Sequence, residues 1–410
     1  MKGIFVIIDG MGDLPHNLLG DKTPLESANT PNLDFLATRG ELGYMYPVRP
    51  GFIPESDEAI VSIFGNDLIS STRGQLEAKG AGLNVTRGDL TLRINFATVD
   101  NNMNIIDRRA GRTLKTAEAE VLVKALNKIP LPVKFEIKST VQHRGVLVLR
   151  GGFSDNISGN DSTYNQGKSK LIDKAGECKP LDDEENSQYT ANVLNEFLKK
   201  AFEVLDKHPI NEERRKIGLL PANYLLVRGA GIEIPKLKLY RRWTAAVYMP
   251  LEIGFAKSCG MDVQFFDYPK LKSFDSYKSL YEGLRKAAKF STKVLKKSKN
   301  SDYIYIHIKE TDLPGHDNKP VEKKEMIEYL DKTLFKFLRK FAPPRKIKVV
   351  VTADHSTPCK LKNHSADPVP VLFYNDSIPK AKKFCEKEAR IGTLGRIMGK
   401  ELLKKVGFDK

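Results

Sequence analysis

The chain has 410 residues, 40% of them hydrophobic and 29% charged, with a formal net charge of +16. That length can bury a large core and suffices for two or three domains, and the composition excludes a disordered chain. No apolar run approaches the ~20 residues of a membrane span, and Cys178, Cys259, Cys359 and Cys385 have neither disulfide-framework nor zinc-knuckle spacing.

The positive charge admits three readings: nucleic-acid binding, an anionic small substrate, or a lysine-rich solvated surface. Basic residues are spread widely, and the densest run, Lys293, Lys296, Lys297 and Lys299, reads as one helix face. No RNA-binding aromatic signature, finger spacing or helix-turn-helix is present, so the surface reading is favoured.

In chain order, Ile4 to Ile8 reads as a first strand that delivers Asp9 into Gly10-Met11-Gly12-Asp13. The run is too short for a signal-peptide core, and a cytoplasmic protein is expected. The turn is not GxGxxG, so a dinucleotide site is not supported. Thr23-Pro24 and Thr30-Pro31 each place a capping threonine before a proline, a helix-start pattern. A Gly/Pro-rich loop then leads to Ser56 at the start of a helix bearing Ala59, Ile60, Ile63 and Phe64 on one side. Ser56 reads either as an ordinary N-cap or as a nucleophile favoured by the helix's positive end.

From Asp89 the texture changes to period-two alternation, in Leu90–Phe96 and Val133–Lys138, with a further strand over His143–Arg150. The loop Ser154–Lys168 is a lid candidate, Leu181–Leu205 reads as a long helix, and Tyr224–Arg228 as a strand. After Pro235 strands and helices alternate again: Ala245–Tyr248, Asp262–Phe266, Tyr303–Ile308, Lys346–Thr352 and Val369–Tyr374. Such alternation means a parallel sheet. The fold class expected is α/β, with a discontinuous parallel-sheet core of residues 1–88 and 237–410 and a smaller inserted α+β domain of residues 89–236.

Chemistry gathers at the strand ends. Tyr303–Ile308 runs into Lys309, Asp312 and His316, and the β-branched run ending at Thr352 leads to Asp354-His355, with His364 beyond. Four of the chain's seven histidines, His307, His316, His355 and His364, fall in its last third. Ligands bind beyond the carboxyl ends of such strands. By itself the Asp354-His355 pair admits a metal site, half a catalytic triad, or a polar strand ending. With the rest, two divalent-ion sites fit: Asp312, His316 and His364, and Asp9, Asp354 and His355 with Ser56 bridging toward substrate.

These residues resemble those of a family, the cofactor-independent phosphoglycerate mutases of the archaeal type, within the alkaline-phosphatase-like metalloenzymes. The resemblance spans nearly the whole chain. It rests on Asp9-Gly-Met-Gly-Asp13, Thr23-Pro-Leu-Glu26, Thr30-Pro-Asn-Leu-Asp34, Pro54-Glu-Ser-Asp57, Asn95-Phe-Ala-Thr-Val-Asp100, Asp107-Arg-Arg-Ala-Gly-Arg112, His143-Arg-Gly145, Leu149-Arg-Gly151, Arg228-Gly-Ala-Gly231, Thr311-Asp312, Gly315-His316 and Ala353-Asp-His355. It implies that Asp312, His316 and His364 hold one ion and that Asp9, Ser56, Asp354 and His355 hold the other. Ser56 would accept the phosphoryl group, and Lys309 would pair with the phosphate or protonate the leaving oxygen. The inserted unit would hold the glycerate, with Arg108, Arg112, His143, Arg144, Arg150 and Arg228 as candidate contacts.

The implied cofactors are two divalent ions, manganese first, with zinc, cobalt or magnesium as alternatives, and no 2,3-bisphosphoglycerate. The implied reaction interconverts 3- and 2-phosphoglycerate, a step of glycolysis and gluconeogenesis. A metal-dependent phosphomonoesterase on the same scaffold is the main rival, and a basic nucleic-acid-binding protein a weaker one. A small-molecule substrate is expected, with neither nucleic acid nor membrane as partner, and the oligomeric state is open. One departure stands out: the family surrounds the serine with Gly, Thr and a downstream His, where this chain has Glu55, Glu58 and Ile60. Ser56 and Asp57 are kept, so the nucleophile stands, while two extra carboxylates add negative charge near a phosphate site and bear on rate and substrate preference.

Overall fold

A computed structural model describes residues 1–68, 73–161, 174–233, 235–270, 275–377 and 383–409. Among these residues the strands are β1 (Gly3–Ile8), β2 (Gly40–Tyr46), β3 (Leu90–Val99), β4 (Ile105–Asp107), β5 (Phe135–Ser139), β6 (Arg144–Leu149), β7 (Tyr224–Gly231), β8 (Trp243–Ala246), β9 (Asp262–Gln264), β10 (Tyr303–Ile308), β11 (Lys348–Thr352), β12 (Val369–Tyr374) and β13 (Gly395–Met398). Residues 162–168 of the expected lid lie outside the described residues.

The strands form two sheets. Eight of them, in the order β13-β2-β12-β11-β1-β10-β8-β9, come from both ends of the chain, while the other five, β3 to β7, form an antiparallel sheet from its middle. Each sheet has its own apolar core, one around Ile4–Ile8 and Val349–Val351, the other around Leu90, Leu92, Ile94 and Phe197. β1, β10 and β12 are buried at every position, as continuous apolar runs in a two-sided sheet require.

The larger sheet is mixed rather than parallel throughout: β12 runs antiparallel to both β11 and β2. No helix lies in residues 353–368 between β11 and β12. Without a crossover helix the chain returns beside β11 in the opposite sense. The connection it makes instead is the loop that carries Asp354, His355 and His364. β2 has two glycines and no β-branched residue, which is why its period-two signal is weak.

Helices cover the sheet. Ser276–Lys297 lays Leu284, Ala287, Ala288, Val294 and Leu295 against it and turns its lysines outward. Helix Ser56–Ile63 is anchored by Phe64, whose ring lies 5.6 Å from Phe5, 4.9 Å from Tyr305 and 5.0 Å from Phe255. No helix among the described residues is long and apolar enough to cross a membrane.

Candidate metal centre

β1 lies between β10 and β11, pairing Ile8 with Ile308 and Ile7 with Thr352. That register brings Asp9, the Lys309–Asp312 segment and Asp354-His355 out of the sheet side by side. Gly10, at φ 59°, is needed for the approach, because a Cβ there would lie 2.6 Å from Thr357 Oγ1 and 2.7 Å from Asp312 Oδ1. Buried Lys323 braces the two loops, its ammonium donating to Asp13 (2.7 Å), Gly12 O (3.2 Å) and Thr357 O (3.0 Å). Ser56 is the first residue of its helix and not its cap. Glu55 takes that place, its N–H donating to Glu58 Oε2 at 2.9 Å, which leaves the serine hydroxyl free of capping duty.

Ser56 Oγ lies 3.2 Å from His355 Nε2 and 3.5 Å from Lys309 Nζ. His355 Nε2 is also 3.2 Å from Asp9 Oδ1 and 3.5 Å from Asp354 Oδ2. The Thr357 hydroxyl donates to Asp312 Oδ1 (2.8 Å), so at 3.0 Å it accepts from His355 Nδ1–H. With Nδ1 so committed, Nε2 is the atom that faces the cluster. Asp9, Ser56, Asp354 and His355 thus converge. Beside them Asp312 stands 3.3 Å from His316 Nε2 and 3.7 Å from His364 Nε2, and those two imidazoles use their Nδ1 atoms on Lys362 O (3.1 Å) and Pro54 O (2.9 Å).

The electrostatics call for cations. Asp9, Asp354 and Glu252 are buried carboxylates, and the ammonium of Lys309 lies against Asp9 and, at 2.9 Å, Glu252. Burial would lower the Lys309 pKa, but Asp9 and Glu252 outweigh it and hold the ammonium charged. Burial likewise opposes charge on His355, yet Asp354 and Asp9 raise it to about 9. Burial and the neighbouring Asp354 carboxylate raise Asp9. Asp9 Oδ1 and Asp354 Oδ2 are buried without a hydrogen-bond partner. Orphaned acceptors of this kind are costly in a low-dielectric interior unless a cation serves them. Three sets of ligand atoms lie within 4.8 Å of one another: Asp312, His316 and His364; Asp9, Asp312 and His355; and Asp9, His307 and Asp354. The donors are carboxylate and imidazole, the set that suits divalent manganese, zinc or iron.

A cavity of about 120 Å³ opens from the cluster toward the antiparallel sheet, lined by Asp9, Lys309, Glu310, Asp312, Arg109, Arg112, His143 and Arg144 among others. Of the candidate substrate contacts, Arg112, His143 and Arg144 line it. Three others do not. Arg150 is held at 2.8 Å by Asp89 and 2.7 Å by Glu136, Arg108 donates to Asp161 at 2.9 Å, and Arg228 pairs with Glu55 at 3.2 Å. Glu55, one of the two added carboxylates, is countered by that same Arg228 contact and by Arg73 at 3.0 Å. Burial opposes its ionisation, but these arginines and His364 hold it well below the usual carboxylate range.

The assigned ligand sets and substrate contacts left out His307, Glu252, Thr357, Glu310 and Arg109. His307 lies inside a strand, and Glu252 sits in helix Pro250–Ser258, far from any motif. The run of arginines at 108, 109 and 112 does not by itself say which one faces inward.

Residues 37–211 match the family described as 2,3-bisphosphoglycerate-independent phosphoglycerate mutase. The chain is 42% identical over 414 residues to the 2,3-bisphosphoglycerate-independent phosphoglycerate mutase of Pyrococcus furiosus, covering 98% of this chain and 95% of that one. It is 37% identical over 421 residues to 2,3-bisphosphoglycerate-independent phosphoglycerate mutase 1 of Methanocaldococcus jannaschii, covering 98% and 96%. Among solved structures it resembles the cofactor-independent phosphoglycerate mutase of Thermoplasma acidophilum, with a TM-score of 0.59, 30% identity, and coverage of 99% of each chain. A solved protein of Pyrococcus horikoshii gives a TM-score of 0.75 at 33% identity, covering 100% of this chain and 98% of that one.

Proposed function

The chain belongs to the archaeal-type 2,3-bisphosphoglycerate-independent phosphoglycerate mutases, and from that membership we propose that it interconverts 3- and 2-phosphoglycerate by passing the phosphoryl group through Ser56. The observation that carries the serine's role is its position: Oγ lies within 3.5 Å of both Lys309 Nζ and His355 Nε2, at the junction of the two ligand sets.

In this reading Asp312, His316 and His364 hold one divalent ion, and Asp9, Ser56, Asp354 and His355 hold the other. Manganese is the proposed ion because oxygen donors are numerous. Bound there, the ions supply positive charge that favours a serine alkoxide and offsets charge on the phosphoryl oxygens.

Ser56 Oγ displaces the C3 oxygen of 3-phosphoglycerate. The phosphorus–Oγ bond forms as the phosphorus–O3 bond breaks, and the serine proton ends on the departing oxygen. In the second half the C2 hydroxyl displaces Oγ, and its proton returns to serine. Lys309 stays charged between Asp9 and Glu252, so it serves as a clamp for a phosphoryl oxygen better than as a proton donor. Arg112, His143 and Arg144, joined by Arg109, hold the glycerate while it turns, and residues 89–236 act as the unit that retains it. A narrow cavity limits water, which would otherwise take the phosphoryl group.

Incubation with Mn²⁺ and 3-phosphoglycerate, followed by phosphorus NMR, tests the proposal. Accumulation of 2-phosphoglycerate is expected. Free phosphate without 2-phosphoglycerate would make the protein a phosphomonoesterase.

A further inference from the structure

Asp354 uses its two oxygens differently. Oδ1 accepts two backbone N–H groups, from Gly10 at 3.1 Å and His355 at 3.0 Å. Oδ2 is the oxygen left for the ion, and it stands 3.5 Å from two imidazole nitrogens, Nε2 of His355 and Nε2 of His307. The first belongs to the ligand set already assigned. The second has no role in it.

His307 is fully buried in β10, and which of its ring nitrogens is the acceptor follows from its neighbour. Tyr305 and His307 are two apart in a strand and share a face. The Tyr305 hydroxyl lies 2.7 Å from His307 Nδ1. Its ring is packed among aromatic carbon, 4.9 Å from Phe64 and 6.1 Å from Phe5 between centroids. Among the described residues the hydroxyl has one hydrogen-bonding contact, the one to His307. A buried phenol donates where it can, so its proton goes to Nδ1. In the neutral imidazole the ring proton then sits on Nε2 and faces Asp354 Oδ2. At 3.5 Å the contact is chiefly charge to dipole, and in a dry interior it still orients a carboxylate.

We propose that His307 is a positioning residue: fixed by the Tyr305 hydroxyl, its Nε2–H holds Asp354 Oδ2 in the direction in which it meets the ion. The inference rests on the ion site proposed above, and it goes beyond it by assigning a Tyr305–His307–Asp354 relay behind the ligand shell. A ligand carboxylate held from behind is presented in one orientation, and loss of such a partner weakens ion binding by about ten- to a hundredfold.

The test compares His307→Leu, His307→Gln and Tyr305→Phe in the full chain by titration with Mn²⁺ and by the visible absorption of the Co²⁺-loaded protein. Thermal unfolding without ions shows which variants are folded. A glutamine amide can donate from nearly the place of Nε2, so His307→Gln should stay within about threefold of the wild-type affinity with an unchanged Co²⁺ spectrum. His307→Leu should lose about ten- to a hundredfold, and Tyr305→Phe should fall between. Wild-type affinity in His307→Leu, or in Tyr305→Phe when His307→Gln is also unaffected and Leu is unfolded, overturns the role. Equal losses in Gln and Leu with an altered Co²⁺ spectrum in Gln overturn it too, because His307 would then bind the ion directly. If the wild-type protein takes up no divalent ion, it is the ion sites themselves that fail.

Discussion

The hydroxyl of Ser56 lies 3.2 Å from Nε2 of His355, although the two residues are 299 apart in the chain. The contact exists because β1 and β11 are neighbours and because Phe64 pins the serine helix onto β1 and β10 through Phe5 and Tyr305. Ser56 therefore reaches the cluster from outside the sheet, at the start of a helix, where a developing anion is favoured.

Replacing Ser56 by alanine removes the only atom proposed to carry the phosphoryl group. Turnover should fall by more than about 10³-fold, as expected when a nucleophile is deleted. Asp9, Asp354 and His355 keep their positions, so Mn²⁺ uptake should persist with unchanged stoichiometry. Rapid-quench detection of phosphoprotein in the wild type and its absence in the variant would check the covalent step directly.

Much of this was legible in the sequence, for a physical reason. β1, β10 and β12 are continuous apolar runs, and the polar residues at the ends of β1, β10 and β11 interrupt them too abruptly to be core. What sequence could not supply is direction. Arg108, Arg109 and Arg112 follow one another through a tight turn with Gly111 at φ 64°, and only the backbone there decides that Arg109 and Arg112 face the cavity while Arg108 turns to Asp161. Glu55 looked disruptive because its partners, Arg73 and Arg228, are far off in sequence. His307 looked like an interior strand residue, and it is one. Its partner, Asp354, lies just past the end of the next strand but one.

Lys309 compensates two buried carboxylates at once. Lys309→Met should lower kcat about 10²- to 10³-fold by removing a charge aimed at the serine. It should also destabilise the fold by about 3–5 kcal/mol, because Asp9 and Glu252 are left without their counter-charge. Adding Glu252→Gln to that variant should recover part of the melting temperature and none of the turnover. Recovery of both would show that Lys309 acts only in the fold.

Ion removal has a thermodynamic signature separate from activity. The crowded carboxylates of Asp9, Asp312 and Asp354 repel one another, so chelation should lower the melting temperature as well as abolish the reaction. Returning Mn²⁺ at a hundred times its Kd should add about 2.7 kcal/mol per site. Titration of melting temperature against free Mn²⁺ measures this, and an Asp312→Asn variant should show a smaller shift than the wild type.

A pH effect is expected outside the two ligand sets. Glu386 begins the helix Glu386–Arg390, and the Thr23 hydroxyl donates to its Oε2 at 2.7 Å, while Oε1 is buried without a partner. Burial raises Glu386 from 4.5 to about 7, against the lowering effect of the Thr23 hydrogen bond. The fold thus prefers the protonated acid. As pH rises, the unfolded chain gives up this proton first, so the group's contribution to stability is complete below about 4.5 and is lost as pH climbs through about 7. Glu386→Gln stays neutral throughout and should remove that slope. At pH 5 the variant should match the wild type closely; at pH 8 it should be the more stable by on the order of 1 kcal/mol. Urea unfolding at the two pH values measures the difference, and a variant that loses stability equally at both would show that Glu386 is held as a carboxylate.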